Sequence, residues 1–175
     1  MTKISVAFTQ VLEASYTRYI NDYTQYLRLR GFGDHINDWF FVKRGFFECW
    51  LQPGFHRFWR LWNPGIGYFA HKIYCTFGGK YKPNTATLAV FLVSGLIHNL
   101  VASVILWRWE FPLPFTFALL GFLTIFFKWL DKYIEMTKWP PIFHLALNVC
   151  LVVLSFDFGF RMRDLTQSFL LSKVY

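Results

Sequence analysis

His98 stands in the stretch FLVSGLIHNL, residues 91–100, inside a run with no Lys, Arg, Asp or Glu from Leu88 through Trp107. An imidazole in such oily surroundings is costly unless it faces protein or a wet cavity, which is where it is expected. Kept neutral, it can accept a proton, the task of a general base. Ser94 lies one helical turn earlier on the same side, where it can orient the ring or allow close packing. A structural histidine fits the same position.

A second constellation is HRFWRLWNPG, residues 56–65. Arg57 and Arg60 are three residues apart, so on a helix both project to one side. Phe58, Trp59 and Trp62 supply apolar mass. Asn63 precedes Pro64, a position that avoids helical geometry, so it marks a helix end from which its amide can reach into a cavity. A generic interfacial helix carries the same pattern. A third group, His144, Asn148, Leu151 and Ser155, repeats at i, i+4, i+7 and i+11, one mostly polar stripe that must face protein or a cavity. It suits the lining of a tunnel or an interhelical hydrogen-bond seam. Asp157 lies off this stripe, four residues before Arg161 and in reach of it.

The elements that must position these groups belong to a membrane protein. Of the 175 residues, 55% are hydrophobic and 22% aromatic, and only 16% are charged. Residues 1–86 hold 11 Lys or Arg against 5 Asp or Glu, a basic and mostly non-spanning front half. Nucleic-acid binding would account for the net charge of +8 but not for the apolar runs, so no nucleic-acid partner is expected. Cys49, Cys75 and Cys150 form neither a CxxC pair nor an even framework and read as free thiols with no metal. Residues 4–12 are too broken by Ser, Thr and Gln for a signal-peptide core, so the chain is expected to enter the membrane by its own spans.

The expected fold is therefore an all-α, multi-pass integral membrane protein. Residues 1–34 read as an N-terminal amphipathic helix with a tyrosine-rich face, ended by GFGD at 31–34 and lying on the membrane or packed on the protein. Residues 35–86 form a basic, aromatic-rich interface region of short helices, broken at Pro53-Gly54, Pro64-Gly65 and Gly78-Gly79. Residues 87–175 supply about three transmembrane helices, Leu88–Trp107, about Leu113–Leu130 and about Ile142–Phe160, and a C-terminal tail. Prolines open the second and third, at no cost in hydrogen bonds. Lys128, Lys132 and Lys138 place the second loop, with the front half, on the cytoplasmic side; Arg161 and Arg163 after the third span pull the other way.

FWRLWN (58–63), followed 35 residues on by His98 in FLVSGLIHN (91–99), resembles the membrane-bound O-acyltransferase (MBOAT) family. The resemblance covers roughly residues 40–160, the C-terminal catalytic half of such a protein. It implies that His98 is the general base that deprotonates an acceptor hydroxyl. It implies that Asn63 shapes the site or polarises the thioester. It implies acyl-CoA as co-substrate, entering a tunnel from the cytosolic face, with no resident cofactor. Charge and place make Arg57, Arg60 and Lys72 the expected contacts of the CoA phosphates. Ser94, His144 and Asn148 are expected along the tunnel. Family enzymes are more than twice this length, so the resemblance implies an O-acyltransferase completed by oligomerisation or by a partner subunit among membrane lipids. The alternative is a non-catalytic structural subunit of a larger membrane complex, derived from an MBOAT fragment.

Overall fold

The computed structural model describes residues 22–33, 38–107 and 112–171, and among these every regular element is helical. Most of the amphipathic stretch read from residues 1–34 lies outside the described residues. Its visible end, α1 (residues 22–29), packs on protein: Leu27 is fully buried, and Tyr23 and Tyr26 meet Tyr68 edge-on at 5.2 and 5.5 Å. Gly31, at φ +79°, ends the helix, and the Phe32 N–H reaches back to the Leu27 carbonyl at 3.0 Å. A left-handed glycine followed by a buried apolar residue is an efficient helix stop.

The front half continues through α2 (Trp39–Val42), capped by the Asp38 carboxylate on Phe41 N, then a π turn (Lys43–Phe47) and a 3-10 turn (Glu48–Leu51). Next come α3 (Phe55–Leu61) and α4 (Pro64–Thr76). Pro53-Gly54, Pro64-Gly65 and Gly78-Gly79 all fall at breaks, as expected, and Pro64 also opens the 13-residue α4 because Pro suits the first helical turn. Aromatic rings make this region's core. Phe32, Phe55 and Phe58 are almost wholly buried, and Phe58 lies against Trp50, Trp59 and Trp62 with centroids 4.7–5.4 Å apart. Such offset and edge contacts add to the area that the rings bury. Cys49 sits in this core, and burial pushes its thiol up to about 12, so it is no nucleophile.

Three helices are long and apolar enough to cross a bilayer: α5 (Pro83–Leu106), α6 (Pro112–Leu130) and α7 (Pro141–Leu171). Each has proline at its first position, where the missing N–H breaks no bond. The third runs past Phe160, the end read from the sequence, because the Asp157–Arg161 pair (2.7 Å) is made within the helix and nothing there breaks it. Successive helices pack side by side. Between α5 and α6 the fit is reciprocal. A Cβ on Gly95 would lie 2.8 Å from Phe117 Cβ, and one on Gly121 would lie 3.0 Å from Phe91 Cβ. Each helix thus lends a ring to the other's glycine. Close approach at small residues is what holds helices together in lipid, where no hydrophobic force acts between them.

Candidate functional site

Above this glycine contact, at the Pro83 end of α5, the front half and the spans border an open cavity of about 650 Å³. That volume is within the range of small-molecule and cofactor sites, about 300–1,000 Å³. Arg57 and Arg60 come from α3, Arg30 from the turn after α1, Lys128 from the last turn of α6 and Lys132 from the turn after it; Asp131 is the one carboxylate among the described lining residues. Tyr26, Trp59 and Tyr74 add aromatic faces.

Local bonds fix part of this wall. Asp131 Oδ2 accepts from Arg57 Nη2 at 2.8 Å, which ties α3 to α6. Arg30 Nη1 donates to the Arg60 carbonyl at 3.0 Å. Among the described residues no carboxylate meets Arg60, Lys128 or Lys132, and all three are exposed. The wall therefore keeps an excess of positive charge available to an anion. His56 and His71 also line the cavity, and burial lowers the pKa of each below its ordinary 6.5; Asp131, 3.6 Å from His56 Nε2, opposes this only partly, and nearby guanidinium groups add to it. Both rings are therefore largely neutral at pH 7.

Two stripes lead down from the cavity. Thr87, Phe91, Ser94 and His98 are spaced 4, 3 and 4 on α5; Phe117, Gly121, Thr124 and Lys128 have the same spacing on α6. The upper members, Thr87, Phe91, Thr124 and Lys128, line the cavity, and at the lower end His98 lies against Phe117 with ring centroids 4.9 Å apart. Seven residues separate Phe91 from His98, about 10 Å along a helix. His98 Nδ1 is 2.7 Å from the Ser94 carbonyl. A carbonyl only accepts, so Nδ1 donates to it, and in the neutral ring the lone pair is then on Nε2. Ser94 orients the ring, as the sequence suggested, through its backbone oxygen and not its hydroxyl.

His98 is expected to face protein or a wet cavity; within this chain it lies against Phe117 on one side and is exposed on the flank of the α5–α6 pair. The reason is geometric. The Phe91–Gly121 and Phe117–Gly95 contacts fill the seam between the two helices and leave the imidazole beside it.

The other sequence candidates divide. Arg57 and Arg60 are in the cavity wall. Lys72 is not; its ammonium lies 4.6 Å from the Tyr68 ring centroid. Asn63 joins α3 to α4 in a left-handed conformation, φ +41°, and its Oδ1 accepts from Ile66 N at 3.2 Å. Its own N–H donates to Gly45 O at 3.1 Å. The residue is at a helix end, as read, but its amide caps α4 and lines none of the cavities described here. The α7 stripe is a seam. Asn148 is fully buried and donates to the Trp50 and Gln52 carbonyls at 2.8 and 3.3 Å, closing the 3-10 turn onto α7. His144 is buried beside Trp139, and Ser155 donates to Leu151 O at 2.7 Å.

Sequence reasoning missed Arg30, Lys128, Asp131, Lys132 and the two histidines of the wall. Lys128, Asp131 and Lys132 carried a signal, being spaced 3 and 1 at the end of a span and so gathered on one side. Arg30 carried none, since its place depends on how α1 docks. Comparison of the chain with protein-family models, with curated proteins and with solved structures finds no match.

Proposed function

We propose that the chain is an MBOAT-like acyltransferase that moves an acyl group from acyl-CoA to a hydroxyl acceptor within the membrane. The observation that carries this reading is the His98 ring, bonded through Nδ1 to Ser94 O, at the foot of a stripe that starts in the basic cavity. CoA presents several phosphates and a purine. Guanidinium and ammonium groups hold phosphates well, and the cavity's aromatic faces suit a base. With the phosphates among Arg57, Arg60 and Lys128, the thioester end extends toward His98. There Nε2 removes the proton from the acceptor hydroxyl, the oxygen attacks the thioester carbonyl, and the departing CoA thiolate takes up a proton. The products are an ester and free CoA. A positioned base of this kind contributes about 10²–10⁴-fold.

The exposed face of His98 supports a further part of the reading: other helices complete the site. An ionisable group in mid-span is placed against protein or water, not lipid. A second copy of the chain or a partner subunit would close the open flank into a dry tunnel and keep water from the thioester.

The alternative, a non-catalytic subunit of a larger membrane complex, draws on how little of the spans the chain itself covers, only 22% of each span's apolar window being buried. One experiment separates the two. The protein is extracted gently from its membrane, its assembly is sized, and transfer from labelled acyl-CoA is compared between wild type and His98→Ala. Transfer that the substitution abolishes without changing the assembly supports the enzyme. A large complex with no transfer in either form supports the structural subunit.

A further inference from the structure

Two imidazoles belong to the wall of the larger cavity, His56 on α3 and His71 on α4, and the acyl-transfer chemistry uses neither. His56 Nε2 lies 3.6 Å from Asp131 Oδ2, the oxygen that Arg57 holds at 2.8 Å. The His71 ring is 5.6 Å from the Tyr26 ring, centroid to centroid, and its Nε2 is 3.7 Å from Cys75 Sγ. The charges around the two rings are mostly positive. Arg57, Arg60 and Lys128 act on His56 against the carboxylate of Asp131, and Arg30 acts on His71. From α5 only Thr87, Val90 and Phe91 reach the cavity, and none of them titrates.

These surroundings decide when the rings take a charge. A proton on either one adds to a wall that already carries five basic side chains, and partial burial raises the cost further. An anion in the cavity reverses the balance, since an opposite charge within about 4–6 Å favours the imidazolium. The number of charges matters. One negative charge leaves the described wall net positive, whereas several neutralise it.

We infer that His56 and His71 take up protons as a polyanion binds in this cavity, and that they thereby select ligands of several negative charges over singly charged ones. His71 is exposed toward the cavity and, once charged, donates to the anion directly. His56 acts through Asp131: the charged ring shares the carboxylate with Arg57 and leaves the guanidinium freer for the ligand. The coupling rests on the acyl-transfer reading only in naming acyl-CoA as the polyanion. Binding that takes up protons strengthens as pH falls, and the expected gain is about tenfold in affinity from about pH 8 to about pH 5.5.

The test is calorimetry on the full chain in nanodiscs of zwitterionic lipid, run in two buffers of different ionisation enthalpy so that protons taken up are counted. The probes are methanedisulfonate, a dianion that does not titrate in this range, and methanesulfonate, its singly charged counterpart. CoA, whose own phosphates titrate, serves as competitor. Methanedisulfonate should bind with net proton uptake and more tightly than methanesulfonate by about tenfold or more. His56→Gln and His71→Gln should each reduce the uptake, and the double variant should abolish both the uptake and the gain in affinity at low pH. Should His56→Gln not fold, His71→Gln carries the variant test. Absence of disulfonate binding, binding without proton uptake, uptake unchanged in His71→Gln, or equal binding of the two sulfonates overturns the inference. Proton-linked binding of the disulfonate that CoA does not displace upholds the polyanion site and fails the acyl-CoA reading.

Discussion

Near Pro83, helix α5 borders a cavity walled by five basic side chains and one carboxylate; near Leu106 the same helix borders a smaller cavity with no charged side chain among its described lining residues. The first lies where the front half caps the spans and Arg60, Lys128 and Lys132 stay exposed. The second lies within the apolar length of the helices. The difference follows from solvation: guanidinium and ammonium groups are stable only where water or lipid phosphate can reach them, whereas an amide and a hydroxyl can be held deeper. One helix thereby borders two chemically distinct cavities with an imidazole between them.

The strongest test of this contrast removes the group between the sites. On the proposed acyl-transfer reading, His98→Gln should lower acyl transfer at least about 100-fold, as loss of a general base does, with little change in KM for either substrate, read by steady-state kinetics. Next, the charged end can be broken alone. Arg60→Ala combined with Lys128→Ala should raise the acyl-CoA KM about tenfold or more and leave kcat nearly unchanged, and added salt should narrow the gap to wild type. A smaller effect comes from Asp131→Asn, which leaves Arg57 without its 2.8 Å partner. It should destabilise the fold by about 1–3 kcal/mol, measured as a shift in thermal unfolding, while the more positive wall binds acyl-CoA at least as well.

The smallest effect is in pH. His56 and His71 have folded-state pKa values below the ordinary 6.5, chiefly through burial, so the unfolded chain takes up their protons first on acidification. Their share of stability is complete above about pH 6.5 and is lost as pH falls from there through the lowered values. Thermal unfolding of His56→Gln should therefore show a flatter pH profile than wild type between about pH 5 and 7. Among the described residues the cavity at the Leu106 end of α5 is lined by no such titrating pair, so Ser103→Ala should leave that profile unchanged.

Much of this arrangement was legible in the residues themselves. Pro112 and Pro141 mark the starts of two spans, Gly31 the end of α1, and the Arg57–Arg60 spacing one side of a short helix. These are local effects of backbone geometry and of side-chain period, and they need no knowledge of the remaining chain. Asn63 was legible as a helix end but not as the cap of the next helix, because the oxygen's partner is chosen by how α3 and α4 meet. His144 and Asn148 were legible as inward-facing; whether they line a space or a seam depended on the 3-10 turn at Glu48–Leu51, which their positions cannot foretell.

By itself the sequence determined the helical class, the three apolar spans, the basic front half and the presence of a polar group in mid-span, since these rest on composition and short-range spacing. Only the tertiary structure decided that Arg30, Arg57 and Lys128 share a wall, that Lys72 does not, that His98 lies on an open flank, and that Asn99 faces a cavity. The physical reason is that a helical position fixes which way a side chain points, whereas what it meets is set by elements far along the chain. At α5 and α6 that meeting is governed by two glycines, each accepting the other helix's phenylalanine.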